Sequence, residues 1–261
     1  MRIPIYQIDA FTDRVFGGNP AAICPLEAWL PDTTMQAIAS ENNLSETVFF
    51  VREGEEYLIR WFTPKAELDL AGHPTLATAS LIFERLEPQR TEIKFRTVKA
   101  GILIVTRAGR DIRMDFPARP PAPCTVPPSL VPALGKAPSQ VLAARDYMAV
   151  YDRADDVAAL RPDFGALAKL DRALVIATAP GGDGIDFVSR CFAPAHGVNE
   201  DPVTGSAHCT LIPYWAERLG KRNLKARQIS ARVGDLVCEH RGERVIIGGR
   251  CAFFMEGTIL L

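Results

Sequence analysis

No stretch of the 261-residue chain approaches the roughly 18 uncharged residues that a membrane-spanning helix needs, and the opening MRIPIYQIDAF lacks the apolar core of a secretion signal. These absences point to a soluble protein of the cytoplasm. An excess of charge is missing too. The 30 Lys and Arg stand against 31 Asp and Glu, with no basic run or stripe to neutralise a row of phosphates, so nucleic acid is not expected as a partner. The six cysteines form no CxxC pair and no zinc-like spacing, which favours reduced, mostly buried thiols over disulfides or a metal centre. His196 and His208 lie near cysteines, but no HExxH motif accompanies them. No GxGxxG follows a strand pattern, no GxxxxGKS or GxxxxGKT is present, and no lysine stands in a setting that singles it out for pyridoxal phosphate. Any chemistry is therefore expected from side chains alone, with no metal and no cofactor.

What the chain does have is a hydrophobic content of 48%, enough to bury one core or two, and an internal repeat. GHPTLATASLIFERL from Gly72 lies over GSAHCTLIPYWAERL from Gly205 at a shift of 133, and the same shift places Gly101 on Gly234 and Gly109 on Gly242. These last pairs sit in AGILIVTRAGRDIRMDF and VGDLVCEHRGERVIIGG, each of which reads as strand, glycine turn, strand. Upstream, Phe62, Thr63 and Pro64 match Phe192, Ala193 and Pro194 at a shift of 130, the difference being a loop insertion before Gly205. Each half thus contains a strand, an irregular loop, a glycine, an apolar helix and a hairpin.

Between the halves, proline recurs from Phe116 to Pro138, and proline neither donates to a ladder nor tolerates a helix interior. The boundary is set there, giving halves 1–118 and 119–261, with residues 252–261 free to pack back onto the first half. Alternation predicts strands in RIPIYQIDAF and ETVFFVRE, and LPDTTMQAIASENN predicts a helix with proline near its first turn. The fold class is α+β, two similar domains, each a largely antiparallel sheet around a buried helix rather than a parallel βαβ sheet.

Both repeated helices begin at a glycine in a polar loop, so each presents unpaired amides and a positive dipole end, a ready anion site. If an approximate twofold relates the halves, the starts at Gly72–His73 and Gly205–Ser206 converge on one cleft that suits a small carboxylate. Otherwise the glycines serve only tight turns. Glu46 enters the apolar run of NLSETVFF, and a strand there leaves it either partly buried, as a general acid or base requires, or at an exposed strand edge. His73 can bond a substrate, carry a proton or cap its helix. Asp201 precedes a proline in VNEDPVTGSAH and is either a substrate-orienting or proton-carrying group or a turn residue. Ser206 reads as a hydroxyl capping its own helix rather than a nucleophile, because no GxSxG surrounds it.

The segments DAFTDRVFGGNPAAIC, NLSETVFF, RWFTPKAELDLAGHPTLATA and RCFAPAHGVNEDPVTGSAH, in this order along nearly the whole chain, resemble the PhzF, or phenazine-biosynthesis-like, family. The resemblance implies a diaminopimelate-epimerase-like fold, often a homodimer. It also implies a reaction in which a proton moves between carbons of a small carboxylate, as in isomerisation of trans-2,3-dihydro-3-hydroxyanthranilate. By the family's motifs, Glu46 matches the proton-transferring glutamate. His73 and Asp201 match its partners at the substrate, and Gly72, Thr204, Gly205 and Ser206 fall at the binding positions of the helix starts. Related epimerases place a cysteine at each helix start. Here these neighbourhoods read LAGHP and VTGSA, and Cys209 falls inside the helix, so two-thiol racemisation is disfavoured. A non-catalytic metabolite- or protein-binding member of the same fold is the alternative.

Overall fold

In the computed structural model, which describes residues 1–261, the alternating RIPIYQIDA becomes strand β1 (Arg2–Ala10) and its antiparallel neighbour is β2 (Asn19–Leu26). Helix α1 (Asp32–Asn42) starts after Pro31, carries Asp32 in its first turn and ends on a left-handed Asn43, whose N–H bonds to the Ala39 carbonyl. It leads into β3 (Glu46–Glu53), which pairs parallel to β2, and β4 (Glu56–Phe62) returns antiparallel to β3. After the short β5 (Glu67–Leu68) comes α2 (Gly72–Leu81), and its chain then joins β6 (Glu92–Arg96), parallel to β4. Strands β7 (Ile102–Ala108) and β8 (Asp111–Pro117) complete an antiparallel meander. The last strand of the chain, Cys251–Leu260, pairs antiparallel with β1. One compact unit comprises Met1–Asp115 with Gly248–Leu261, the other Phe116–Ile247.

Strand parity sends side chains to opposite faces of this first sheet. Ala22, Cys24 and Phe49 join Ile3, Ile5 and Phe62 in packing against Met35, Ile38 and Ala39 of α1. The alternate positions, including Asn19, Ala21 and Ile23 on β2 and Glu46, Val48 and Phe50 on β3, therefore lie on the other face, and α2 packs against β1, β2 and β3. Helix α2 is buried on every side from His73 to Leu81, as expected for a helix without a polar face at the centre of a layer. Its buried hydroxyls are satisfied locally: Thr75 and Thr78 donate to the carbonyls four residues back, at 2.6 and 2.8 Å. Beyond Leu81 the helix continues as a π turn, Ile82–Leu86, closed by the Glu87 N–H on the Ile82 carbonyl at 2.7 Å.

The second unit repeats the plan. It begins with β9 (Ala122–Pro123), α3 (Leu130–Leu134), β10 (Gln140–Ala143) and β11 (Tyr147–Val150). Two short helices, α4 (Ala154–Ala158) and α5 (Phe164–Leu167), carry the chain to β12 (Val175–Pro180), parallel to β11. Then follow β13 (Phe187–Ala193), β14 (Val198–Asp201) and helix α6 (Gly205–Leu219). The chain continues through β15 (Asn223–Gln228), β16 (Gly234–Arg241) and β17 (Arg244–Gly249). Helix α6 links β13 to a parallel β15, as α2 links β4 to β6. Each unit therefore holds two parallel pairs, joined through helices, within an otherwise antiparallel sheet. The hairpin-based expectation overlooked these because a parallel pair needs a crossover of a dozen or more residues, which the helices supply.

Helix α6 contains Pro213, which has no N–H for the carbonyl of Cys209, and the backbone N–H of Arg119 takes that carbonyl instead at 2.9 Å. Trp215, fully buried, stacks on Phe187 with ring centroids 5.7 Å apart and donates its indole N–H to Thr178 Oγ1 at 2.9 Å. Val175, Ala177 and Ala179 of β12 face α3, α4 and α5, so this sheet too is covered on both faces. No helix is long and apolar enough to cross a membrane.

Candidate active site

In the first unit the chemistry gathers where β2, β3 and α2 begin. Between β1 and β2 the chain turns through Gly17 and Gly18. Gly18 has φ +59°, and a Cβ there would fall 2.0 Å from the Ala10 carbonyl oxygen, so only glycine fits. Buried Asp9 braces this turn by accepting the Phe16 N–H at 2.9 Å. The turn delivers Asn19, fully buried, onto the α2 face of β2. Glu46 opens β3 opposite Ala21, two residues along from Asn19 and on the same face, while Asn42 donates to the adjacent Thr47 hydroxyl at 3.1 Å and fixes the entry to the strand.

His73, the second residue of α2, meets both. The Asn19 amide nitrogen lies 3.2 Å from His73 Nδ1, and His73 Nε2 lies 3.1 Å from Glu46 Oε2. With Asn19 donating, Nδ1 is the acceptor and the ring proton sits on Nε2, the atom next to the carboxylate. The Glu46 side chain is only 15% exposed, and its Oε2 is shielded from water without a well-directed hydrogen bond. A close but misaligned neighbour leaves that oxygen able to take a proton from a third atom. The residue before α2 is Ala71, so no side chain caps the helix and its first amides remain open to an anion. His73 does not cap it.

In the second unit the start of α6 is also without a side-chain cap. The expectation that Ser206 caps its own helix is corrected: its Oγ accepts instead from Arg145 Nη2 at 3.1 Å. Arg145 is itself gripped by buried Asp146, at 2.8 and 2.9 Å. Asp201, the last residue of β14, accepts from the Thr204 hydroxyl at 2.6 Å. Thr204 is buried at the N-cap, its N–H given to Gln228 Oε1 at 2.8 Å, and Gln228 Nε2 also donates to the Asp201 carbonyl at 2.7 Å. Thr204 thus frames the helix start, with Gly205 buried behind Ser206. The Glu46–His73 contact joins residues picked out in the sequence. Asn19, Arg145 and Gln228 escaped that reading: Asn19 stood inside a recognised motif without an assigned role, and neither Arg145 nor Gln228 lies in any motif.

Cys209, the fifth residue of α6, is 4% exposed, and burial pushes its thiol up to about 11, so the thiolate is scarce at neutral pH. Cys209→Ala is expected to keep turnover within about twofold of the parent, since an inert buried cysteine behaves as a small apolar residue. Steady-state rates, with and without iodoacetamide, check this. His208 is fully buried against Phe187, with Nδ1 on the Thr204 carbonyl at 2.9 Å, and burial lowers its pKa to about 4. The unfolded chain therefore binds this proton more readily. The contribution of His208 to stability is complete above pH 6.5 and is lost as the pH falls toward 4. Between pH 7 and pH 5 the loss is about 2 kcal/mol. Urea unfolding at the two pH values should register this slope in the parent and lose it in His208→Gln. No group of three His, Cys, Asp or Glu side chains is placed to hold a metal ion.

Two similar units, each a mixed sheet with a buried helix, give the chain an epimerase-like fold. A probable proline racemase of Agrobacterium radiobacter shares this fold at a TM-score of 0.65, with 11% identity over 99% of this chain and 93% of that one. The chain belongs to the phenazine biosynthesis-like (PhzF) family, whose profile matches residues 8–257. It is 52% identical to a Pseudomonas aeruginosa protein named an uncharacterized isomerase, over the full length of both chains. The crystal structure of a PhzF-family protein of Enterococcus faecalis superposes with a TM-score of 0.97 at 46% identity, covering 100% of each chain.

Proposed function

We propose that the protein is a cofactor-independent isomerase that moves a proton between carbons of a small carboxylic acid, similar to trans-2,3-dihydro-3-hydroxyanthranilate isomerase. The observation that carries this reading is the shielded Glu46 Oε2 set 3.1 Å from His73 Nε2. Membership of the family and isomerase-named relatives support the reaction type.

Glu46 takes a proton from an activated carbon and returns it to another, so one carboxylate serves as base and then as acid. His73, with its tautomer set by Asn19, donates toward the charge that builds on the substrate. Asp201 and Ser206 hold its amino or hydroxyl groups. Open amides at Gly72 and Gly205 receive the carboxylate and the developing negative charge, and losing one such donor typically costs about 10² to 10³ in rate. A homodimer is proposed on the family resemblance alone.

The test is incubation in D₂O with dihydrohydroxyanthranilate and a panel of cyclic and amino acids, followed by proton NMR. Carbon-bound deuterium in at least one acid is the expected result. Saturable binding of panel members without exchange would refute catalysis on this substrate class.

A further inference from the structure

The helix that begins at Gly72 runs on through its π turn to Leu86, which puts its ends roughly 20 Å apart at helical rise. At the far end lies a cavity of about 470 Å³ lined by Phe83, Glu84, Arg107, Arg110, Arg250 and Cys251, among others. None of these residues takes part in the proton-transfer reading, and the volume is that of a small-metabolite site.

Three guanidinium groups, two from the β7–β8 hairpin and one from the start of the last strand, converge on this cavity, and their charges are balanced unequally. Arg250 is offset by Asp13 and Asp111, at 3.3 and 3.2 Å. Arg107 donates only to neutral acceptors, the carbonyls of Phe83 and Pro88 at 3.1 and 3.4 Å. Those carbonyls belong to the π turn and the residues after it, so the distorted helix end holds Arg107 in place. Arg110, in the β7–β8 turn, has neither an ion pair nor a hydrogen bond. Arg107 and Arg110 thus have no carboxylate partner of their own, and guanidinium forks match a phosphate in geometry. Glu84, held by the Ser80 hydroxyl at 2.9 Å, and Asp13 stand at the same cavity as acceptors for ligand hydroxyls. Phe83 and Ile112 add apolar surface.

We propose that this cavity binds a small phosphomonoester carrying hydroxyl groups, a sugar phosphate or nucleoside monophosphate, at the opposite end of the helix from His73. The site is independent of the isomerase reading.

Isothermal titration of the full-length protein with glucose 6-phosphate and AMP, at fixed ionic strength, tests it, with glucose, adenosine and citrate as comparators. Saturable binding of at least one phosphomonoester is expected, with its unphosphorylated counterpart and citrate silent. Arg110→Ala, in an exposed turn, should weaken binding about tenfold or more, the loss of one charge-assisted pair. Arg107→Lys keeps the charge and should weaken it less than Arg107→Ala. Absence of saturable binding, equal binding of citrate, or an affinity unchanged in Arg110→Ala would each overturn the proposal.

Discussion

Glu46→Gln is expected to lower kcat by about 10² to 10⁴, the span that a positioned general acid or base contributes, with little change in KM. The amide keeps the size and most of the polarity of the carboxylate, so the start of β3 and its pairing with Ala21 should survive. What disappears is the only group in this half-site able to accept a proton with an oxygen that is both shielded and undirected. Glu46→Asp retains the carboxylate but withdraws it by one methylene, and because positioning by an ångström matters to catalysis, it should recover only part of the rate. A steady-state comparison of the three proteins, with circular dichroism to confirm the fold, separates loss of chemistry from loss of structure. Equal kcat for the parent and Glu46→Gln would remove Glu46 from the reaction.

Gly18→Ala should be the most damaging single-methyl change in the first unit. The left-handed backbone alone costs an alanine about 1 kcal/mol or more, and the Ala10 carbonyl oxygen, 2.0 Å from the new Cβ, must also move. Together the strain and the displaced backbone should cost about 3 kcal/mol or more. The displaced segment carries Asn19, whose amide sets the His73 tautomer, so turnover should fall along with stability. Gly54 is the control: its φ is +61° but nothing lies within 4 Å of a Cβ there, so Gly54→Ala should lose only the conformational part. Urea unfolding of both variants measures the difference.

Much of this was legible in the sequence because it rests on periodicity and repetition. The offset joining Gly72 to Gly205 marks two helices that are buried nearly all round, and two such helices require two sheets to cover them. Parity along ETVFFVRE places Glu46 on one face, but not which helix lies over that face. That depends on the parallel pairing of β2 with β3, a non-local contact without a local signal. That Ser206 does not cap its helix has no local signal for a similar reason: its partner Arg145 is 61 residues away in sequence, and a helix-start serine without such a neighbour would ordinarily turn back on its own amides. Gln228 is 24 residues from the helix start it braces, and its strand reads as any other. Asn19 was within reach. Two glycines before an asparagine that opens a strand mark a tight delivery of a polar side chain into an apolar layer, and such a residue is kept only for a bond worth its burial.

The central claim is that one carboxylate carries a proton from one carbon to another, and the isotopic fate of that proton tests it most directly. Product formed in D₂O during the first turnovers would be analysed for deuterium at the receiving carbon. A single shielded carrier returns part of the protium it removed, so a fraction of early product should hold protium there, and Glu46→Gln should form almost no product. Full deuterium at that carbon from the first turnover, at the same rate in Glu46→Gln as in the parent, would contradict the account.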